Sequence, residues 1–247
     1  MKYIEYGKQN SDVIILLHGG GLSWWNYREA TQQLMNDYHV ILPILDGHAN
    51  SDQDFTSIED NALEIIQWID QHHAGKVLMI GGVSLGAQIA LEILSLRPKI
   101  SQYALIESAN VIPSKWIHSM IGPTFGCSYP LIRQKWFAKL QCQSLRIKET
   151  LFEDYYKDTC GITKENLIAF MQGSTLYALK DSLKNTSARV HIFVGEREQR
   201  GMLKSASLIQ EKIKGSSLHI LPGMYHGEFS LNYAKDYVET VLNILNK

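Results

Sequence analysis

The chain has 247 residues, 45% hydrophobic and 20% charged, which is enough apolar material for a substantial core and too much for a disordered chain. Its 24 basic and 25 acidic side chains leave a formal net charge of −1. That balance excludes a chain built mainly to hold nucleic acid or an anionic membrane surface, although not a small local patch.

Val13 to Leu17 is a continuous apolar run that ends in His18-Gly19-Gly20-Gly21, and His39 to Leu45 is a second run, interrupted by Pro43. Ile58 to His72 carries Ala62, Ile65, Ile66 and Ile69 at helical spacing. Val77 to Ile80 reads as a third strand, closed by Gly81-Gly82. Leu85 to Leu96 follows as a helix, with Ile89, Ile93 and Leu96 on one stripe and Pro98 as its stop. Tyr103 to Ile106 and Val190 to Val194 are further strands, with Ser217 to Leu221 as their edge partner. A helix is expected over Leu203 to Lys214, ended by Gly215. Tyr233 to Leu245 is a closing amphipathic helix with Tyr237, Val238, Val241, Leu242 and Leu245 inward.

Apolar runs each followed by a turn and a helix are the mark of a parallel sheet buried between helical layers. The expected fold class is therefore α/β, a mostly parallel central sheet with helices on both faces. Residues 112–187 break the alternation. They hold helical patterns, such as Pro130 to Leu140 and Lys164 to Ser174, but no buried strand. This stretch reads as a helical lid inserted into a core formed by residues 1–111 and 188–247. Its aromatic residues, from Trp116 to Tyr177, either roof a pocket or pack the lid onto the body. Its ten Lys/Arg against six Asp/Glu give a weak hint of an acidic substrate, set against the plainer reading of solvated helix faces.

Cys127, Cys142 and Cys160 are widely spaced, with no CxxC pair, and read as reduced thiols. Met1 to Gly7 carries charge and no long apolar run, so neither a secretory signal nor a transmembrane anchor is expected. Together these point to a cytoplasmic protein. No cofactor or metal motif is read.

Gly82-Val83-Ser84-Leu85-Gly86 matches G-x-S-x-G between a strand and a helix. At such a turn the serine backbone is strained, its neighbours two positions away must be small, and the hydroxyl stands clear of the sheet. Ser84 is the candidate nucleophile. A serine hydroxyl attacks only when a base takes its proton, and His226, in the loop Pro222 to Gly227 after the last strand, is the candidate base. His18, His39, His191 and His219 lie in or beside strands and read as structural. The imidazole needs an acidic partner on its other nitrogen. Glu198, after the strand Val190 to Val194, is the favoured acid; Glu196 and Glu107 are its rivals. The glycines after His18 let backbone amides approach a substrate. The expected oxyanion hole is the Leu85 amide with one amide from Gly20 or Gly21. A phosphate loop is the poorer reading, since no Gly-Lys-Ser/Thr follows.

With these residues in view, the sequence resembles the α/β-hydrolase family along nearly its whole length. The resemblance is carried by His18 to Gly21 with Trp24 and Trp25, by Asp46-Gly47-His48-Ala49-Asn50-Ser51, by Gly82 to Gly86, by Gly195 to Glu198, and by His226. Ala49 stands where the family usually has a second glycine, and Glu198 where it more often has aspartate. The resemblance implies two-step acyl transfer through an acyl-enzyme on Ser84, acting on a small-molecule ester. It leaves open thioesters, amides, lactones, carbon–carbon or hydroxynitrile cleavage, other acyl acceptors, and a slowly turning-over ligand sensor. Haloalkane dehalogenation is disfavoured, because its nucleophile is a carboxylate.

Overall fold

A computed structural model describes residues 1–246. The apolar runs form a seven-stranded sheet: β1 (Lys2–Tyr6), β2 (Val13–Leu17), β3 (His39–Ile44), β4 (Val77–Val83), β5 (Ser101–Glu107), β6 (Arg189–Gly195) and β7 (Ser217–Leu221). Their order is β1-β3-β2-β4-β5-β6-β7, and every neighbouring pair is parallel except β1 with β3. Pro43 lies past Ile41, the last residue of β3 in register with β2. Its missing N–H therefore removes no bond between those two strands.

Side chains alternate across a strand, and the alternation sorts the core into two layers. Ile14, Leu16, Val40, Leu42, Met79, Leu105 and Phe193 face α1 (Arg28–Leu34), α9 (Glu228–Asn232) and α10 (Ala234–Leu245). Ile15, Leu17, Ile41, Ile80, Ile106, Ile192 and Val194 face α2 (Ile58–His72), α3 (Leu85–Leu96) and α8 (Arg200–Lys212). Each such side chain, fully buried, contributes about 1.5–3 kcal/mol. The sheet is thus covered on both faces, as the unbroken apolar runs required. The α2 N-terminus is capped by Ser57, whose Oγ accepts from the Asp60 amide at 2.9 Å.

Between β5 and β6 the chain is helical. It forms α4 (Lys115–Ile132), α5 (Lys135–Ser144), α6 (Phe152–Gly161) and α7 (Lys164–Leu176). Here the structure corrects the sequence. A helix beginning at Pro130 was expected; instead α4 runs through both Pro123 and Pro130, and the break falls at Arg133 and Gln134. Proline inside a helix loses a hydrogen bond. Packing overrides that loss here: the Tyr129 hydroxyl donates to the Ile162 carbonyl at 2.8 Å, and Ile132 joins the main core. Strand β1 went unread because its half-buried side chains carry no apolar run. Helices α8 and α10 start within three residues of their expected positions.

The insertion is clasped to the body at Trp25. That ring is buried among Ala138, Cys142, Phe152 and Tyr155, and its Nε1–H donates to Asp158 at 2.9 Å. Arg28 pairs with Asp154 at 2.8 Å beside it. Among the described residues no helix is long and apolar enough to cross a membrane.

Candidate active site

Strand β4 and helix α3 meet at Ser84, whose φ of 54° and ψ of −114° lie outside the ordinary regions for a residue with a side chain. Two glycines make the turn possible. A Cβ on Gly82 would press into the Gly86 backbone, and a Cβ on Gly86 would press into the carbonyls of Leu17 and His18 on the neighbouring strand. The G-x-S-x-G spacing is thus a packing requirement imposed partly from β2.

His226 lies in the loop after β7, and its Nε2 is 3.0 Å from the Ser84 Oγ. Its Nδ1 is 2.7 Å from Glu198 Oε2. A carboxylate only accepts, so Nδ1 carries the proton and Nε2 is left to accept from the serine hydroxyl. The imidazole is half-exposed, whereas the Glu198 side chain is fully buried. Glu198 Oε1 accepts from the Ser108 hydroxyl and from the Gly195 amide, both at 2.7 Å. Burial works against its ionisation. The hydrogen bonds from His226, Ser108 and Gly195, with the His226 charge, outweigh that and hold the carboxyl below its ordinary value.

Both rival acids are engaged elsewhere. Glu107 is buried and accepts from the Phe229 and Ser230 amides at 3.1 and 3.3 Å, at the start of α9. Burial raises its carboxyl to about 7, against the pull of the Ser230 hydrogen bonds. Glu196 accepts from the Gly223 amide at 2.8 Å. Ser108, by contrast, was missed by sequence reasoning. It follows β5 directly, has a φ of 55°, and accepts from the Gly227 amide at 3.4 Å while donating to Glu198. Its only sequence signal was its place one residue past a strand end.

Of the three expected oxyanion-hole residues, two line the cavity that holds Ser84, namely Gly20 and Leu85. Leu85 is the first residue of α3, where amides have no partner within the helix. Of the two glycines, Gly21 has its amide engaged: it donates to His48 Nε2 at 3.0 Å. His48 Nδ1 in turn faces the Asp46 carbonyl at 3.1 Å, which assigns the proton to Nδ1. Burial pushes the His48 imidazole down to about 4, keeping it neutral and able to accept. His18 braces the same loop, between the Gly19 carbonyl at 2.9 Å and the Leu45 amide at 3.2 Å, and burial holds it well below its usual range. Its structural reading stands.

The cavity at Ser84 has a volume of about 230 Å3, and Leu22, Ile147, Leu231, Phe170 and Met171 make it mainly apolar. No lysine or arginine of the insertion lines it, so the hint of an acidic substrate finds no counterpart in its walls. A larger open cleft, near Asp12, Lys76, Lys99 and Arg189, lies at the amino ends of β2, β4, β5 and β6, away from Ser84, and contains none of these residues.

Comparison with known proteins agrees with this architecture. A sequence profile described as the Alpha/beta hydrolase family matches residues 14–240. No curated protein sequence matches the chain. Among solved structures, a thermophilic esterase from Thermogutta terrifontis superposes with a TM-score of 0.80 at 14% identity, covering 100% of this chain and 94% of that one. A structure from work on carboxylesterases of Nitrososphaera gargenis gives 0.81 at 16%, covering 99% and 93%. A bromoperoxidase from Bacillus anthracis gives 0.83 at 15%, covering 99% and 95%. At such identities the likeness is one of fold.

Proposed function

The chain belongs to the α/β-hydrolase family, and on that premise we propose that it is a serine hydrolase cleaving a small-to-medium carboxylic ester through an acyl-enzyme on Ser84. One observation carries the reading. The Ser84 hydroxyl, the His226 imidazole and the Glu198 carboxylate form a relay with gaps of 3.0 and 2.7 Å, opening on an apolar cavity.

In this reading Ser84 attacks the ester carbonyl while His226 Nε2 takes its proton. The oxyanion is received by the Leu85 and Gly20 amides, each contributing about 3 kcal/mol to the transition state. His226 then passes the proton to the departing alkoxide. In the second half a water attacks the acyl-enzyme with His226 again as base, and the carboxylic acid leaves. Glu198 orients the ring and balances the imidazolium. Its depressed carboxyl keeps it ionised for that work. Residues 112–187 serve as the lid over the cavity. The three cysteines are unpaired, which supports a reducing, cytoplasmic setting.

A fluorophosphonate probe is expected to label Ser84, and Ser84→Ala to abolish labelling together with ester turnover. His226→Ala should lower kcat by roughly 10⁴- to 10⁶-fold. Full ester turnover by Ser84→Ala would refute the assignment of the nucleophile. A panel of thioester, amide and ester substrates with one acyl group would fix the bond cleaved.

A further inference from the structure

The cavity at Ser84 does not end at the nucleophile. A second chamber of about 260 Å3 adjoins it under the insertion, and the two share Gly20, Leu145, Phe170 and Met171 as their partition. Phe170 is the fixed part of that wall. It is buried, its ring stacks on His48 at 4.4 Å, and it meets Phe55 edge-on at 6.3 Å. Leu145 is exposed and Met171 is a flexible, half-buried side chain, so these two form the adjustable part.

Reaction geometry assigns a limb of the ester to each chamber. Ser84, His226, Gly227 and Leu231 belong to the first chamber alone. The leaving alkoxide must sit where His226 can protonate it, and therefore in the first chamber. The carbonyl oxygen is turned to Gly20 and Leu85. The remaining substituent of the tetrahedral carbon is left to run past Gly20, whose neighbour Gly21 lines only the second chamber.

The second chamber is also specific in its chemistry. Phe125, Ile132, Ile162 and Leu167 make it apolar, and its polar lining residues, chiefly Gln141, Ser144 and Thr159, carry no charge. No lysine or arginine lines it; of the cations in the segment around Ser144, Lys135 pairs with Glu153 at 2.8 Å, Lys148 with Glu29 at 3.0 Å, and Arg146 lies over the Tyr225 ring at 3.6 Å. A carboxylate placed there would lose its hydration with no counter-charge to replace it.

Resting on the serine-hydrolase reading above, we propose that the second chamber is the acyl site. It selects an uncharged acyl chain of medium length, threaded past Leu145 and Met171, and rejects one ending in a carboxylate.

The test uses p-nitrophenyl esters of acetic, hexanoic and octanoic acid and the p-nitrophenyl monoester of adipic acid, whose acyl chain matches hexanoate in length but ends in a carboxylate. The wild type should prefer hexanoate to acetate in kcat/KM, and prefer hexanoate to the adipate monoester by roughly tenfold or more. Ser144→Trp, which projects an indole into the second chamber from an exposed position, should lower the hexanoate-to-acetate ratio roughly tenfold. Met171→Ala works in the opposite direction. It widens the partition and should move the preference to octanoate, so the passage is still read if Ser144→Trp does not fold. Equal rates for hexanoate and the adipate monoester, or a hexanoate-to-acetate ratio that neither variant moves, would overturn the assignment while leaving ester hydrolysis at Ser84 intact. A wild type that turns over none of the esters would overturn the hydrolase reading, and the acyl site with it.

Discussion

The sheet core and the helical insertion are built on different principles. In the core, backbone presses on backbone: Gly82, Gly86 and Gly195 each face main-chain atoms where a Cβ would stand, and Glu198 accepts hydrogen bonds from residues on three separate segments. In the insertion, Gly122 and Gly126 face only the ends of the Gln172 and Lys164 side chains, and the tighter glycines, Gly161 and Gly173, meet the side chains of Ala49 and Phe55 where the insertion lies on the body. Two prolines sit inside one helix, and Trp116 and Trp136 stay 74% and 59% exposed. A frame that must hold reacting groups to within tenths of an ångström tolerates little change. A cover that must only shape an apolar space tolerates far more.

Four substitutions test that contrast. The largest effect is expected from Gly86→Ala. Its methyl would meet the Leu17 and His18 carbonyls, which cannot yield without moving β2. A loss of about 3 kcal/mol or more is expected, read as a fall in the denaturant midpoint. A midpoint within error of the wild type would show that the turn is less constrained than its geometry implies.

Ser108→Ala should come next. The hydroxyl donates to Glu198, and a hydrogen bond to a charged group contributes about 1.5–3 kcal/mol, so kcat should fall roughly tenfold to a hundredfold. Because the lost donor favoured the carboxylate, the acidic limb of the pH–rate profile should move to higher pH. A merely structural serine would lower stability and leave that limb in place.

Glu107 offers a pH signature. Its carboxyl lies near 7 in the folded chain, above its ordinary value. From the ordinary carboxylate range up to about pH 7, the folded chain holds a proton that the unfolded chain has released. Stability from this group therefore declines as pH rises through that window and levels off above it. Glu107→Gln keeps an acceptor for the Phe229 and Ser230 amides and removes the titration. The difference in unfolding midpoint between pH 5 and pH 8 should shrink, and an unchanged difference would remove Glu107 from the account.

The smallest effect is expected in the insertion. Gly126→Ala meets only the end of the Lys164 side chain, at 3.7 Å, and gains helix propensity in α4. It should stabilise by about 0.5–1 kcal/mol, without affecting turnover. A loss as large as that of Gly86→Ala would erase the contrast between the two regions.

Much of this protein was legible before any coordinates. The parallel sheet followed from Val13–Leu17, Val77–Ile80 and Val190–Val194, because a strand buried on both faces needs an unbroken apolar run. The Ser84 turn followed from its flanking glycines, because the contact of Gly82 with the Gly86 backbone lies within five residues, even though β2 also presses on Gly86. Helix α4 was misread, since local propensity penalises Pro123 and Pro130 while the contacts that hold the helix come from α7 and the core. Strand β1 escaped because an edge strand need not be apolar.

The remaining choices could not be made from local pattern. Glu107 closes β5, and Glu196 and Glu198 stand just beyond β6, so place relative to a strand end does not separate them. They part only in three dimensions, where α9 takes the first, the Gly223 amide the second, and His226 the third. Gly20 and Gly21 are identical in sequence terms, yet a histidine 27 residues away claims the Gly21 amide. Hydrogen bonds are short and directional, so contacts between distant segments depend on how the elements dock, whereas strands, turns and helices answer to neighbours a few residues away.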